Sequence, residues 1–448
     1  MRKIDLRLIP WLALLYLMNS LDRGSIGNAR LYGMEASLRI SDKQYLLALT
    51  AFFFPYSFLE PPSNLALRML RPSRWFAFTV FVWGVAMMCH AFARNYRDLV
   101  GLRILLGAAE SALYPGIVFF LSCWYKRSQR GTRIAAFFTA SSIAGAFSGL
   151  LAAAIHNLDG VGGVAGWGWI FLLEGLVTII LAIISLWILQ DFPQTATMLT
   201  EEERVFIVRG LQADQQFSAG SGEHFRMDII WQTFKDPKTY IVSYSPASTA
   251  YPKNSLLLPL QLGFGATAAN LLSVPVYVWG CILTCIVGYF GDRLGQRGYL
   301  NLALFGTGFV GYVILVTSRK PGLSYFATAW VSSNIEGAYK RAFTFGLAVG
   351  FGNLQGAVTS NVYRAQDKPL YTLGHGIILA YVGIGFLTSL LYLIVLRREN
   401  AARARGERDE VITGLDNKHA REENGVFETA KHAREEKGDA WSGFRYTL

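Results

Sequence analysis

The feature that most constrains this chain is a succession of apolar runs, each about as long as a lipid bilayer is thick. A hydrocarbon core of about 30 Å is crossed by about 20 helical residues. In the first half, Leu8–Leu21 (running on into SIGNA), Gln44–Leu67, Trp75–Ala93, Leu99–Trp124, Ile134–Leu158 and Trp167–Gln190 qualify or come close. In the second half, Asn270–Phe290, Gly298–Ser318, Ala342–Tyr363 and Pro369–Leu396 do so. The first run lacks a clear small-residue cleavage site and further spans follow at once, so it is expected to remain as a permanent helix, not a signal. Only 16% of the 448 residues are charged, against about 25% in a soluble domain of average composition. The +11 formal charge lies entirely ahead of Arg397, because the last 52 residues carry 11 basic and 11 acidic side chains. Those basic residues punctuate apolar runs and line no single face, which points to a membrane and away from nucleic acid.

Between the two groups lies a polar stretch, 191–238, with 8 acidic and 5 basic residues. Within it Thr200 to Glu203 has capping-box spacing, so a short surface helix is expected to start there. The organisation read from the chain is therefore a membrane half at 1–190, a linker at 191–238, a second membrane half at 239–396 and a tail at 397–448. With the N-terminus inside, the short inner segments hold 14 Lys and Arg against about ten outside, and the cluster YKRSQRGTR is strongly cytosolic. Both termini are then cytosolic. The tail repeats KHAREENG as KHAREEKG, and its low apolar content predicts disorder or a solvated helix.

Cys89, Cys123, Cys281 and Cys285 all fall in apolar stretches with no accompanying metal ligands, so they read as buried packing residues. Glycines spaced four apart (Gly145–Gly149, Gly346–Gly350, Gly352–Gly356) fit close helix packing. His90, His156 and His375 are isolated, and no nucleophile–base grouping or phosphate-binding glycine loop is present, so an enzyme is not expected.

Charges inside spans are costly and default to functional hypotheses. Asp22, Arg23, Glu60, Arg103, Glu110 and Glu174 are such charges. Arg103 and Glu110 are seven apart, hence near one helical face and about 10 Å apart along the axis. Helix directions place Asp22, Arg23, Arg103 and Glu110 at a common depth, with charges that sum to zero. Arginines stay charged, whereas a carboxylate out of water can take up a proton. Protonating both acids would leave a cationic cavity suited to a carboxylate solute, and releasing the protons to the cytosol would weaken the hold on it. The alternative for the set is interhelical ion pairing that fixes helix register, and that alternative weighs more for Glu60, beside Pro61-Pro62, and for Glu174 in WIFLLEG.

Near the start of the second half, GYFGDRLGQR (Gly288 to Arg297) sits between two apolar spans and fits the G-x-x-x-D-R-x-G-x-R loop motif of the major facilitator superfamily. In the first half NLALRMLRPSRW keeps the basic residues but not the acid. In order along the chain, LDRGSIGNA, FLEPPSN, LRPSRW, RILLGAAESALYPG, GLLAAAI, GWGWIFLLEGL, AWVSSNIEGAYKRA, GFGNLQGAVTSNVY and FRYTL resemble the fungal allantoate/nicotinate permease branch of the anion:cation symporters. The resemblance implies an all-α membrane protein of two six-helix halves. It implies proton-coupled symport of a small organic anion such as allantoate, nicotinate or a related vitamin, with the proton gradient in place of a cofactor. By motif, proton coupling falls to Asp22 and Glu110, anion binding to Arg23 and Arg103 and more weakly to Asn353, and loop gating to Gly288, Asp292, Arg293 and Arg297. The implied setting is a monomer in the plasma membrane.

The chain departs from this pattern twice. The seventh span falls on TYIVSYSPASTAYPKNSLLLPLQLGF, which is broken by Pro246, Pro252 and Pro259. The tenth has only Gly322–Ile335, which is 14 residues or about 21 Å as helix. The sequence also begins almost at the first span, without the cytosolic leader common in relatives. Truncated spans 7 and 10 keep a second expectation open: a transport-dead sensor or a defective product of a transporter gene.

Overall fold

The computed structural model describes residues 1–214, 227–235, 372–414 and 417–446, with isolated positions between 282 and 361. Apart from those positions, the expected spans from Asn270 to Tyr363, both short segments, Gly288, Arg297 and Asn353 lie outside the described residues. Helices α1 (Arg2–Leu31), α3 (Asp42–Met69), α4 (Pro72–His90), α5 (Tyr96–Glu110), α6 (Leu113–Trp124), α7 (Arg127–His156) and α8 (Gly166–Ile188) take up the six apolar runs of the first half. A five-residue α2 (Met34–Leu38) turns the chain between the first two spans. In the linker stand α9 (Glu201–Ala213) and α10 (Met227–Lys235), and α11 (Thr372–Ala404) is the last span.

Local chemistry sets these boundaries. Ser41 and Gln44 form a reciprocal capping box at the start of α3, and Thr200 and Glu203 do the same for α9 as the spacing predicts. The fourth run, expected as one span at Leu99–Trp124, is interrupted between Glu110 and Leu113. Pro115 explains the break, since it has no N–H for the Ser111 carbonyl and its ring crowds that oxygen. The two pieces still form one membrane-length unit of 29 residues, Tyr96–Trp124. Helix α7 bends by 41° where Ser128–Gly145 meets Phe147–His156.

Within the first half the principal pairings are α1 with α7, α3 with α5 and α4 with α8, and α1 also packs along α8. Close approach in two of these pairs, α3 with α5 and α4 with α8, rests on a glycine. A Cβ on Gly107 of α5 would stand 2.2 Å from the Phe52 carbonyl oxygen of α3, and one on Gly175 of α8 would stand 2.8 Å from the Gly84 carbonyl oxygen of α4. Neither glycine belongs to the four-apart pairs that the sequence suggested. Outward faces carry Phe58, Phe78, Phe147 and Trp187, all well exposed, whereas the interior holds Asn19, Asp22, Glu60, Arg103, Glu110 and Glu174. Apolar outside and polar within is the arrangement lipid imposes on a helical bundle.

Two expectations are corrected. Cys89 is exposed on α4 and Cys123 is half-buried, because an apolar run owes its composition to lipid as much as to core; Cys281 and Cys285 are outside the described residues. The tail, expected as disorder or a solvated helix, does form a helix over its second repeat and is otherwise more ordered than its charge predicts. Beyond α11 it forms strands β1 (Val411–Ile412) and β2 (Val426–Phe427), which pair in parallel, and a helix α12 (Ala430–Lys437). It then returns to α11. Asn400 exchanges hydrogen bonds with the Tyr446 backbone at 2.8 and 3.0 Å, and the buried Arg403 donates to the carbonyls of Phe444 and Asp439 at 2.8 and 2.9 Å. Phe444 and Tyr446 are buried beside Leu396 in the main apolar core. A few aromatics at the chain end therefore anchor what composition alone marks as unstructured.

Candidate functional site

The intramembrane charges of the first half converge between α1, α5 and α8, but not as one ring. Asp22 and Arg23 are consecutive on α1, so their side chains leave the helix about 100° apart. Arg23 turns toward α5 and α3, and Asp22 toward α8 and α4.

On the first side, Arg23 Nε donates to Glu110 Oε2 at 2.9 Å, and Asn19 Nδ2, one turn earlier on α1, donates to the same oxygen at 2.9 Å. Glu110 is fully buried, while the Arg23 side chain keeps 20% exposure. The guanidinium lies over the rings of Tyr56 and Phe52 of α3, 4.7 and 5.6 Å from their centroids. Nη2 of Arg23 and Oε1 of Glu110 have no hydrogen-bond partner among the described residues. An ion pair with spare valence on both sides is open to a further polar guest.

Arg103 lies two turns before Glu110 on α5. It is buried, and its Nε and Nη2 lack partners among the described residues. The groups that set its electrostatic surroundings are Tyr45 of α3, Glu110 and Asp22. A desolvated guanidinium with unused donors is expensive unless something anionic completes it.

On the second side, Asp22 is fully buried, and neither carboxylate oxygen has a hydrogen-bond partner among the described residues. Glu174 of α8 and Glu110 face it. Glu174 is itself buried and is held by the Ser25 hydroxyl, which also donates to the Leu21 carbonyl at 2.9 Å. The cluster therefore has five members, not four, and with every group ionised the sum is −1, not zero. Glu174 stands out in sequence as an intramembrane acid, but its place in the cluster follows only from the packing of α8 on α1. Glu60 is buried one turn beyond Tyr56 on α3 and takes part in the electrostatics of that tyrosine. Asn19, Tyr56, Phe52 and Ser25 were not singled out from sequence. The signal was present for Asn19, four residues before Arg23 and so on its face.

His90 is buried, donates from Nδ1 to the Ala86 carbonyl at 2.7 Å and stacks on Phe171. His156 stacks on Tyr32.

The loop motif places its acid at the start of α7. Asp292 accepts from the backbone N–H of Gly131 at 3.0 Å and of Thr132 at 2.7 Å, and from the Thr132 hydroxyl at 2.7 Å. No side chain of its own caps this helix, and a carboxylate from 160 positions away bonds the N–H groups of its second turn, near the positive end of the helix dipole. Arg293 instead donates to the Tyr289 hydroxyl at 2.9 Å. In the first-half loop the missing acid is supplied by Asp191, which accepts from Ser73 N and Oγ at 3.1 and 2.7 Å.

Comparison with known proteins gives concordant results. The Major Facilitator Superfamily matches residues 12–391. The MFS-type transporter cnsO of Penicillium expansum is 35% identical, with 95% of this chain and 88% of that protein covered. An uncharacterized transporter of Schizosaccharomyces pombe is 30% identical, covering 92% of this chain and 88% of its own length. Among solved structures, the human organic anion transporter MFSD10 superposes with a TM-score of 0.58 at 12% identity, over 87% of this chain and 99% of that one.

Proposed function

This chain belongs to the major facilitator superfamily, and on that premise we propose that it is a proton-coupled symporter of a small organic anion. Its membrane-embedded, all-helical fold and its membership among secondary transporters are established by the family match and by the fold neighbours. The substrate class and the coupling ion are our reading. Candidate substrates are allantoate, nicotinate and related carboxylates, following the resemblance to the fungal allantoate/nicotinate permease branch. One observation carries the proposal: a buried arginine–carboxylate pair, Arg23–Glu110, stands beside a second buried arginine, Arg103, whose donors are unused.

In this reading Glu110 occupies Arg23 while the site is empty. A proton on Glu110 removes its charge and frees Arg23, and Arg23 and Arg103 together receive the substrate carboxylate. Tyr56 and Phe52 keep the Arg23 guanidinium in place as its partner changes. Loss of the proton restores the competing carboxylate and expels the anion. Asp292 seated on the start of α7 serves as a latch between the two halves, released when that end of the bundle opens. The protein would act as a monomer in the plasma membrane with both termini in the cytosol.

The test is uptake of labelled allantoate, nicotinate and related anions by cells expressing the chain. Uptake should be faster at acidic external pH. Absence of uptake for every anion, with normal surface delivery, would support a transport-dead sensor or a defective product instead.

A further inference from the structure

The cluster holds one acid more than its arginines balance. Asp22, Glu110 and Glu174 face Arg23 and Arg103, and all but Arg23 are buried almost completely. An uncompensated charge out of water is costly enough that such sites take up a proton instead. Glu110 is engaged by Arg23 and Asn19, so the surplus lies with the other two acids.

Their placement supports this. Ser25 is three residues after Asp22 on α1, hence on the same face, and Ser25 touches Glu174 of α8. That juxtaposition brings the Asp22 and Glu174 carboxyl groups against each other. The surrounding helices offer little to separate them: α5 presents Glu110 and Arg103, and α4 presents Trp83. On the other side of α1, α7 presents Ser148. The hydroxyl of Ser25 also has a single hydrogen and two acceptors, the Leu21 carbonyl and Glu174. Ser25 therefore cannot satisfy the Leu21 carbonyl and Glu174 at once, which leaves the Glu174–Asp22 pair short of a donor.

We propose that Asp22 and Glu174 share one proton, and that Glu174 is thereby a coupling residue: the pair is where the transported proton rests before it reaches Glu110. The proton forms an O–H bond on one carboxyl oxygen, is donated to the facing carboxylate, and leaves to water on the opposite side of the membrane. Two facing carboxylates repel when both are charged, and a proton between them replaces that repulsion with a hydrogen bond. The inference rests on the proton-coupled reading above, and its test is built to fail separately from that reading.

The first arm is spectroscopic and needs no substrate. Infrared spectra of the purified protein near neutral pH should show a protonated-carboxyl stretch that is lost in both Asp22→Asn and Glu174→Gln. Persistence of that band in either variant, or its absence from the unsubstituted protein, overturns the shared proton. The second arm compares uptake against pH for the unsubstituted protein and for Glu174→Gln at matched surface levels. A rate limited by a single proton changes by about tenfold per pH unit, and the variant should flatten this toward about onefold. An unchanged profile would leave Glu174 as packing only and overturn its coupling role. If the unsubstituted chain carries no anion at all, the symport reading and the coupling role fail together, and the infrared arm alone decides the shared proton.

Discussion

Replacing Glu110 by Gln tests the charge logic most directly. Glutamine keeps the shape of the side chain and an oxygen able to accept from Arg23 Nε and Asn19 Nδ2, both at 2.9 Å. What it removes is the negative charge. Charges centred about 4 Å apart attract by about 4 kcal/mol at an effective dielectric near 20. Because the Arg23 side chain is 20% exposed, solvent screens part of this. About a third surviving corresponds to about 1.4 kcal/mol, or about tenfold in an equilibrium constant. An Arg23 no longer claimed by Glu110 should bind the substrate anion about that much more tightly. Glu110→Gln is therefore expected to lower the KM for exchange of labelled against unlabelled anion by about tenfold, to make that KM independent of pH, and to abolish accumulation against a gradient. Reconstituted vesicles with and without an imposed proton gradient separate the two readouts. Equal loss of exchange and accumulation would refute the reasoning and leave Glu110 as a structural ion-pair partner.

Other outcomes follow from the packing and the tail. A Cβ on Gly107 would meet the Phe52 carbonyl oxygen at 2.2 Å, about 1 Å inside ordinary contact, whereas one on Gly101 would meet nothing within 4 Å. Gly107→Ala should cost about 1–3 kcal/mol by overpacking and Gly101→Ala should stabilise slightly, read as melting temperatures in detergent. Arg403→Ala would remove one donor each from the carbonyls of Phe444 and Asp439, which keep Arg445 and Tyr446 as second donors, at about 0.5–1.5 kcal/mol per bond, and should speed limited proteolysis between Arg405 and Tyr446. The Thr200 backbone N–H, with Lys3 beside it, holds the Glu203 carboxyl below its ordinary value. That contribution is complete above the ordinary glutamate range and is lost as pH falls through the lowered value. Hydrogen exchange at the first turn of α9 should therefore stay slow through the ordinary glutamate range and rise only below it.

The charged tail shows where composition misleads. KHAREENG and KHAREEKG contain nothing that can form a core, yet Phe444 and Tyr446 bury against α11 and Arg403 ties their backbone down. The contacts that decide its state span more than forty residues, as between Asn400 and Tyr446, and no local window reports them. Cys89 errs the other way: it sits in an apolar helix but on the exposed face of α4, because a bilayer selects for apolar surface as strongly as a core does.

Sequence by itself determined the membrane-spanning helical architecture of the first half. Bilayer thickness and the need to satisfy every backbone group leave an apolar run of 20-odd residues almost no alternative to a helix. It also marked which charges the spans bury, since a charge within such a run is too costly to face lipid. Only the tertiary structure decided how those charges divide. Neighbouring residues of one helix point to different partners, so Arg23 meets Glu110 of α5 while Asp22 meets Glu174 of α8. That separation depends on which helices stand beside α1, and helix neighbours are a property of the folded bundle, absent from any single span.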